Sequence, residues 1–320
     1  MDLRQLQALV AIADHGSFSA AATALHTVQS NVSSHVARLE RELGAQLVDR
    51  TAGALTEEGQ AVVDRARRIQ AELEAAVADV ASMRSEVSGT VRVGIIGTTA
   101  RWLTGLLLEA LARAHPQVRL VVGEGTSSTL EPQLAAGALD VAVVNLPQAH
   151  PDLDARPLFD EDLVLVVAPG HPLARRAEVA MVDLAGVELL LPPAGTAYRE
   201  DLDLAAAAAG VTLASRAELD GLRLMASLTA RGLGPSILPA TTAAEGLDGF
   251  ARVGVAGLPR RRVGAVVRRR GRPSAPARAL LDVLDQVVGQ QLGVQYGLHA
   301  PSGAWRARRE QPVPSPPGDP

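Results

Sequence analysis

The sequence predicts a mixed α/β protein that has a helical N-terminal part and a larger α/β part. Three observations support this prediction. Residues 1–56 contain short helical stretches and tight turns without a parallel-strand pattern. From residue 56 to about residue 87 no proline interrupts the chain, which favours one long helix. After residue 88 apolar strands alternate with helical segments, as in domains with mainly parallel sheets.

The composition excludes several classes of chemistry. The 320 residues contain no cysteine and no lysine, which excludes disulfides, thiol nucleophiles, Schiff-base lysines and P-loop lysines. A net charge of −4 excludes a globally basic nucleic-acid coat, although local basic patches remain open. No apolar stretch reaches the roughly 20 residues that span a bilayer, and the N-terminus lacks a signal-peptide pattern. We therefore expect a soluble, cytoplasmic protein without membrane contact.

The first three helices are predicted from apolar spacing and from the residues that bound each helix. Ser17 is a suitable N-cap for the second helix, and Gly44 is suited to end the third. Residues 47–55 have Thr-Ala-Gly-Ala near their centre and suit a small hairpin. The predicted helices run from Leu3 to the His15-Gly16 break, from Phe18 to Leu25, and from about Ser30 to Leu43.

The second and third helices have the features of a helix-turn-helix. Ala21 and Ala22 allow close approach, and Leu25, Val32 and Val36 are expected to pack between the helices. Glutamine can form two hydrogen bonds to adenine, and arginine can bind phosphate or guanine, so a polar helix face suits the major groove of DNA. Helix pairs of this kind also occur in domains without a DNA role, and that alternative stays open here. The polar positions predicted to face DNA are Gln29, Ser30, Ser33, Ser34 and Arg38.

The long helix carries an apolar seam. Thr56 is a good N-cap, and Glu57 and Glu58 lie where the helix dipole favours acids. A repeat of about 3.5 residues is typical of a coiled coil, and the expected partner is a second copy of the chain. Packing of the seam on the chain's own domain is the alternative. The seam consists of Val62, Ala66, Ile69, Leu73, Ala76, Val80, Met83 and Val87.

The rest of the chain is predicted as an α/β domain followed by a tail. The predicted strands are Val91–Ile96, Arg119–Val122, Val141–Asn145, Leu163–Ala168, Glu188–Leu191, Leu213–Leu219, Ser236–Pro239 and Val263–Arg268. The predicted helices are Arg101–Ala114, Tyr198–Ala209, Leu222–Ala230 and Ala277–Leu292. Residues 293–320 are expected to be disordered, because prolines recur without an apolar period. Glu161 and Asp162 are expected to be exposed, and the Arg260–Arg262 run is expected to form a solvated or intersubunit surface.

The N-terminal sequence MDLRQLQALVAIADHGSFSAAATALHTVQSNVSSHVARLERELGAQLVDR, followed by LTEEG, resembles the winged helix-turn-helix of LysR-type transcriptional regulators. The resemblance assigns DNA contact to Gln29, Ser30, Ser33, Ser34 and Arg50. Three departures stand out. Thr27-Val28 precedes the glutamine where the family has an apolar residue and then serine, so Thr27 could cap the helix and shift its start. Ser34 stands where the family often has arginine, and the wing lacks a basic tip.

The resemblance also implies an architecture and partners. This architecture comprises a DNA-binding domain (1–57), a linker helix (58–88) and an effector domain (89–292). The effector domain is similar to the type II periplasmic binding fold, and residues 293–320 lie outside the resemblance. The implied lobes are 90–168 with 266–292, and 169–265, with crossings near 168–169 and 266–269. The expected partners are double-stranded DNA, a small-molecule effector, further copies in a homodimer or homotetramer, and RNA polymerase. No cofactor is expected.

Small hydroxyl residues follow the first two strands of this domain. They lie at strand C-termini and before helices, where backbone N–H groups can hold an anion. The resemblance points to the same two turns for the effector, which we expect to be a small polar or anionic metabolite. The alternative is that these residues are ordinary helix caps. The predicted effector residues are Thr98, Thr99, Ser127 and Ser128, with Asn145 after the next strand and Thr196 on the other lobe.

Enzyme functions find no support in the sequence. The seven histidines are scattered without the spacing of a metal site, and no nucleophile elbow occurs. We therefore expect neither catalytic residues nor a metal site. The sequence is best interpreted as a ligand-responsive transcriptional regulator. A ligand-independent repressor and a solute-binding protein without a DNA role are the alternatives.

Overall fold

The computed structural model describes residues 1–49, 53–84, 86–148, 150–244, 247 and 249–302. These residues form two compact units. The first contains Met1–Val144, Gln148–Asp154 and Val266–Val287, and the second contains Asn145–Pro147, Ala155–Ala265 and the chain from Val288 onward. Among the described residues, no helix combines the length and the apolar character needed to cross a bilayer.

The secondary structure follows the predicted order with several additions. The helices are α1 (Leu3–His15), α2 (Phe18–Ala24), α3 (Gln29–Leu43), α4 (Glu57–Arg84), α5 (Gly97–Ala114), α6 (Ser127–Ala135), α7 (Ala197–Ala208), α8 (Leu222–Ala230), α9 (Ala240–Ala244) and α10 (Ala275–Gln291). The strands are β1 (Val48–Asp49), β2 (Ala54–Leu55), β3 (Gly89–Ile96), β4 (Val118–Gly125), β5 (Val141–Leu146), β6 (Leu153–Glu161), β7 (Leu163–Val167), β8 (Glu178–Ala180), β9 (Glu188–Leu191), β10 (Ala214–Glu218), β11 (Ser236–Pro239), β12 (Ala251–Ala256), β13 (Arg261–Arg268) and β14 (Leu298–His299).

The head, residues 1–56, folds around α1 and α3. Ala21 is fully buried and Ala22 nearly so, which lets α2 lie close to its neighbours. Val32 and Val36 are buried as predicted, whereas Leu25 is 38% exposed, so the expectation that it packs in the core is wrong. Leu25 is the C-cap residue of α2, where the chain already turns away from the helix pair.

Helix α4 begins in the core of the head and continues beyond it. The Thr56 hydroxyl accepts a hydrogen bond from the Gly59 amide at 3.0 Å, which confirms the predicted N-cap. Val63 and Ala66 are fully buried in the head's apolar core. Further along α4 the apolar side chains reach solvent. The exposed large members are Ile69, Leu73, Val77, Val80 and Met83.

Parallel strands of the first unit form one end of a six-stranded sheet. β3 pairs with β4 in unbroken parallel register over Gly89–Ile96, and with β5 on its other side. The alternating apolar residues of β3 are buried beneath α5, whose Leu103 and Leu107 are fully buried. The complete strand order is β14-β6-β13-β5-β3-β4, so β3 has a neighbour on both sides and β4 lies at an edge. The ends of β3 and β4 therefore lie side by side.

The second unit contains a six-stranded sheet in the order β10-β9-β11-β7-β12-β8. β7 pairs antiparallel with β11 and β12 through residues 163–167. The predicted lobe boundary after residue 168 therefore differs from the structure, in which the second unit already takes in residues 155–168. The mainly parallel sheet expected there is mixed, because β7 runs against both of its neighbours. Leu165, Ile237 and Val253 form part of its buried core.

The prediction of disorder is wrong for residues 293–302. Leu298 is buried, and β14 pairs antiparallel with β6 through Leu298↔Glu161 and His299↔Asp160. Gly297 has φ +68°, and a Cβ atom there would lie 2.3 Å from the Ala240 Cβ, so only glycine fits this approach. Residues 303–320 lie outside the described residues. This short strand was not predicted, because the prolines further along the chain led us to expect disorder for the whole segment.

Three consecutive acids pair with the three arginines of the Arg260–Arg262 run within the second unit. The arginine Nε atoms bind Asp162, Glu161 and Asp160 in turn, at 2.7, 2.6 and 2.8 Å. Glu161 is fully buried, so the expectations of an exposed Glu161 and of a solvated or intersubunit arginine surface are corrected. Burial by itself raises the pKa of Asp160, but hydrogen bonds from Arg262 and Ser302 outweigh it and lower the pKa to about 2.

Candidate DNA-binding and effector sites

Helix α3 presents a polar face at the surface of the head. Gln29, Ser30, Ser34 and Arg38 are exposed, and Ser33 is half-buried. Ser30, Ser34 and Arg38 are spaced by four residues and therefore lie along one side of the helix. The predicted contact residues on α3 are thus brought together, whereas Arg50 lies outside the described residues.

The start of α3 resolves the question raised by Thr27-Val28. Val28 is the N-cap residue with extended backbone and no side-chain cap, and Gln29 is the first helical residue. The Thr27 hydroxyl instead accepts a hydrogen bond from the side-chain Nδ2 atom of Asn31 at 2.9 Å. The helix therefore begins one residue before the predicted Ser30, and Thr27 does not cap it.

Acidic residues near α3 are engaged in the fold of the head. A carboxylate oxygen of Glu40 accepts hydrogen bonds from the backbone amides of Leu47 and Val48 at 2.9 and 3.3 Å, which ties the wing to α3. Glu42 pairs with the N-terminal amine and with Gln5, and these hydrogen bonds lower the pKa of Glu42. Both acids therefore face structural partners within the head. Sequence reasoning missed these contacts, since neither acid belongs to the polar face.

The second group of predicted residues lies in the first unit, at the carboxyl ends of β3 and β4. Ile96 pairs with Gly125, so the turns that follow these strands start at the same level of the sheet. Thr98 is 8% exposed and Thr99 is fully buried in the first turn of α5. The Thr99 hydroxyl is buried and has no hydrogen-bond partner among the described residues. Such a group is expected to bind a ligand or a water molecule.

The hydroxyls at the start of α6 are partly used as caps. Thr126 precedes the helix, and its backbone N–H donates a hydrogen bond to the Thr129 hydroxyl at 2.9 Å, while its own side chain makes no cap hydrogen bond. The Thr126 hydroxyl lies 2.9 Å from the hydroxyl of Ser128, which is exposed, and Ser127 is half-buried. The hydroxyl that caps this helix start thus belongs to Thr129, while Ser127 and Ser128 follow the end of β4, which pairs with β3.

The structure adds one acidic residue to this sheet edge. A Cβ atom at Gly97 would lie 2.7 Å from the Glu124 Oε1 atom, so this carboxylate lies beside the start of α5. Sequence reasoning missed Glu124, although its position directly before the Gly-Thr-Ser-Ser turn was a usable signal. A carboxylate here favours ligand groups that donate hydrogen bonds.

The last two predicted effector residues belong to the second unit. Asn145 lies near the end of β5 and is exposed. Thr196 is the N-cap of α7: its hydroxyl accepts from the Arg199 amide at 3.4 Å and donates to the Pro193 carbonyl at 2.8 Å. The cap alternative therefore describes Thr196. No group of three or more histidine, aspartate or glutamate residues in the described part of the chain could hold a metal ion.

Comparison with known proteins decides the class. Residues 3–60 match the bacterial regulatory helix-turn-helix protein of the lysR family, and residues 84–289 match the LysR substrate binding domain. This chain belongs to the LysR family of transcriptional regulators. It is 33% identical over 300 residues to a probable hydrogen peroxide-inducible genes activator of Mycobacterium avium, covering 89% of this chain and 94% of the relative.

Solved structures share the whole architecture of this LysR-family regulator. A cysteine-substituted full-length OxyR from Pseudomonas aeruginosa has a TM-score of 0.76 at 26% identity and covers 95% of this chain and 99% of its own. Full-length CbnR complexed with its target DNA has a TM-score of 0.66 at 25% identity and covers 90% and 100% of the two chains. The regulator is therefore a DNA-binding protein with an effector domain, as predicted.

Proposed function

We propose that this LysR-family regulator binds a paired operator as a dimer of heads and that a small polar metabolite changes this binding. The unpartnered, buried hydroxyl of Thr99 at the start of α5 is the observation that carries the effector part. Polar groups are rarely buried without a partner, so a ligand that bonds this hydroxyl would remove an energetic cost of about 1–3 kcal/mol.

Pairing of heads follows from charge and from the apolar seam. The head, taken to residue 58, contains four arginines and seven acidic residues, a net charge of −3, so one head neutralises few phosphates. Two heads joined through their paired α4 helices, which we call the rods, can bind two half-sites about one helical turn apart. This arrangement raises affinity through effective concentration. The exposed apolar residues of α4 give a surface that a second copy would cover. The assembly is thus a homodimer or a higher homo-oligomer.

The effector is proposed to be a compact metabolite with hydrogen-bond donors. Thr98, Thr99, Ser127 and Ser128 offer hydroxyls and helix N-termini, which suit oxygen groups of the ligand. Glu124 adds a negative charge beside the same turn. A ligand that carries both an acceptor and a donor group, such as an ammonium or hydroxyl, complements this set.

Replacing Thr99 and Ser128 with alanine is expected to abolish the effector response while leaving operator binding intact. A thermal-shift screen of the full-length chain first identifies a stabilising metabolite, because a ligand that binds the native state raises Tm. Footprinting then compares the wild type, the double variant and Thr104→Ala, a control further along α5. An effector-dependent footprint that survives in the double variant would contradict the proposed site. A screen without any stabilising metabolite would favour the ligand-independent repressor.

The relatives named for hydrogen peroxide raise the question of what this chain detects. Peroxide converts a cysteine thiolate to a sulfenic acid, and this chain has no cysteine among its 320 residues. We propose that its response depends on reversible binding without a thiol reaction. Of its four methionines, Met83 is largely exposed and offers a slower route to oxidation.

Operator binding is expected to be the same before and after a brief exposure to micromolar hydrogen peroxide. The physical reason is that no thiol is available to react on this timescale. Gel-shift titrations measure the affinity, and intact mass reports any methionine sulfoxide. A rapid change in affinity that accompanies the formation of methionine sulfoxide would contradict the proposal, because a covalent oxidation and not reversible binding would then produce the response.

A further inference from the structure

Helix α4 has a second face, which packs against the rest of the first unit. The Asp79 Oδ1 atom accepts a hydrogen bond from the Ala275 amide at 2.8 Å and lies 3.3 Å from the Arg278 Nη2 atom. Ala275 is the first residue of α10. A carboxylate at this place satisfies a free N–H of the helix and interacts favourably with its dipole. Asp79 thus caps a helix that lies about 200 residues away in sequence.

Further contacts extend this face toward the head. The Glu74 Oε2 atom pairs with the Arg92 Nη1 atom at 2.9 Å, which joins α4 to β3. Gly137 has φ +82°, and a Cβ atom there would lie 3.2 Å from the Arg68 Cα atom, so the backbone of α4 rests closely on the turn after α6. Together with the burial of Val63 and Ala66, these contacts make the head, α4 and this part of the sheet one unit.

Helix α10, whose first turn binds Asp79, has residues in both units. Its residues Ala275–Val287 belong to the first unit, and its last residues belong to the second. An α-helix is stiff over such a length, so a movement of the last residues of α10 also displaces its first turn. Asp79 of α4 binds this turn. The rod that carries the head is therefore attached to an element shared by both units.

We propose that Asp79 is a positioning residue that sets the orientation of the DNA-binding heads by fixing α4 to the first turn of α10. The proposal rests on the paired-head binding proposed above and does not depend on which effector binds. With this contact in place, the two heads of a dimer meet the operator at one rotational phase. Without it, the rods gain freedom and tolerate half-sites at other phases.

The experiment uses the full-length protein and a duplex selected by the wild type from a random pool. Inserting about five base pairs between the half-sites turns one half-site to the opposite face of the helix. We expect the wild type to lose about 100-fold in affinity on this insertion, because bivalent binding is lost. The phase ratio is the affinity for the original duplex divided by the affinity for the duplex with the insertion. For Asp79→Ala this ratio is expected to shrink by about tenfold, mostly through weaker binding to the original duplex.

Two further measurements and one control variant separate positioning from general destabilisation. Hydrogen exchange of the Ala275 amide is expected to quicken by about tenfold in Asp79→Ala, with exchange in α1 and α3 unchanged. Affinity for a single half-site is expected to stay the same. Asp79→Asn keeps an acceptor oxygen, should fold readily, and is expected to fall between wild type and Asp79→Ala.

Each outcome bears on the proposal. A reduced phase ratio with faster exchange of the Ala275 amide and unchanged exchange in α1 and α3 supports it. A wild-type phase ratio in both Asp79 variants overturns it and leaves paired-head binding intact. Equal acceleration of exchange in α1, α3 and α10 also overturns it, since that pattern marks a purely structural role. A wild type without any phase dependence overturns the paired-head proposal together with this one.

Discussion

Replacing Gln29 with alanine is expected to weaken operator binding by about 10- to 100-fold, since a bidentate contact to a base edge is worth about 1–3 kcal/mol. Gln29 is exposed at the first helical position of α3, and the N-terminal residues of a recognition helix are those that contact base edges. Fluorescence anisotropy with the duplex that the wild type selects from a random pool measures the loss of affinity. The same titration with a scrambled duplex should show little change, because a base contact contributes to specific binding alone.

Gln7→Ala is the control for this prediction. Gln7 is likewise an exposed glutamine of the head, but it lies on α1. It should bind the operator as the wild type does. Equal losses for Gln29→Ala on selected and scrambled duplexes would show that the residue contacts the DNA backbone or supports the fold. No loss at all would exclude it from the interface.

The variant Leu73→Glu/Val80→Glu is expected to abolish dimerisation and reduce operator affinity by at least about 100-fold. The two side chains are 46% and 52% exposed on α4 and spaced by seven residues, so both lie on the same apolar seam. Facing glutamates of two copies would place like charges in a desolvated seam. Sedimentation equilibrium measures the oligomeric state, and anisotropy measures the affinity.

Ala61→Glu is the matched control for the seam. Ala61 is exposed on α4 outside the apolar repeat, and the added charge should leave the assembly unchanged. A double variant that still sediments as wild type would show that the copies associate through another surface. Monomers that retain full operator affinity would contradict the need for two heads.

The head and the rod could be predicted because their signals are local. Apolar spacing of three and four residues, the Thr56 cap and the small pair Ala21-Ala22 each act within a few residues of chain. The structure bears out these elements nearly to their ends. The start of α3 differed by one residue, because Val28 with extended backbone takes the cap position without any side-chain hydrogen bond. A cap of this kind cannot be recognised from the residue types around it.

The candidate effector site was only partly predictable. The hydroxyl turns after β3 and β4 could be recognised from strand ends followed by helices. Whether a hydroxyl caps a helix, as Thr196 does, or is buried without a partner, as Thr99 is, depends on distant packing. The approach of Glu124 to Gly97 likewise depends on the pairing of two strands about 30 residues apart, as their register shows.

The sequence by itself determined the helical head, the long apolar-seamed helix, the α/β alternation and the absence of any thiol, because each depends on short-range order or on composition. Only the tertiary structure decided that β7 joins the second sheet, that Leu298–His299 adds a strand beside β6, and that Asp79 caps α10. Strand partners and remote caps are chosen by contacts between segments far apart in the chain, and these depend on total burial and hydrogen bonding, which no local pattern records.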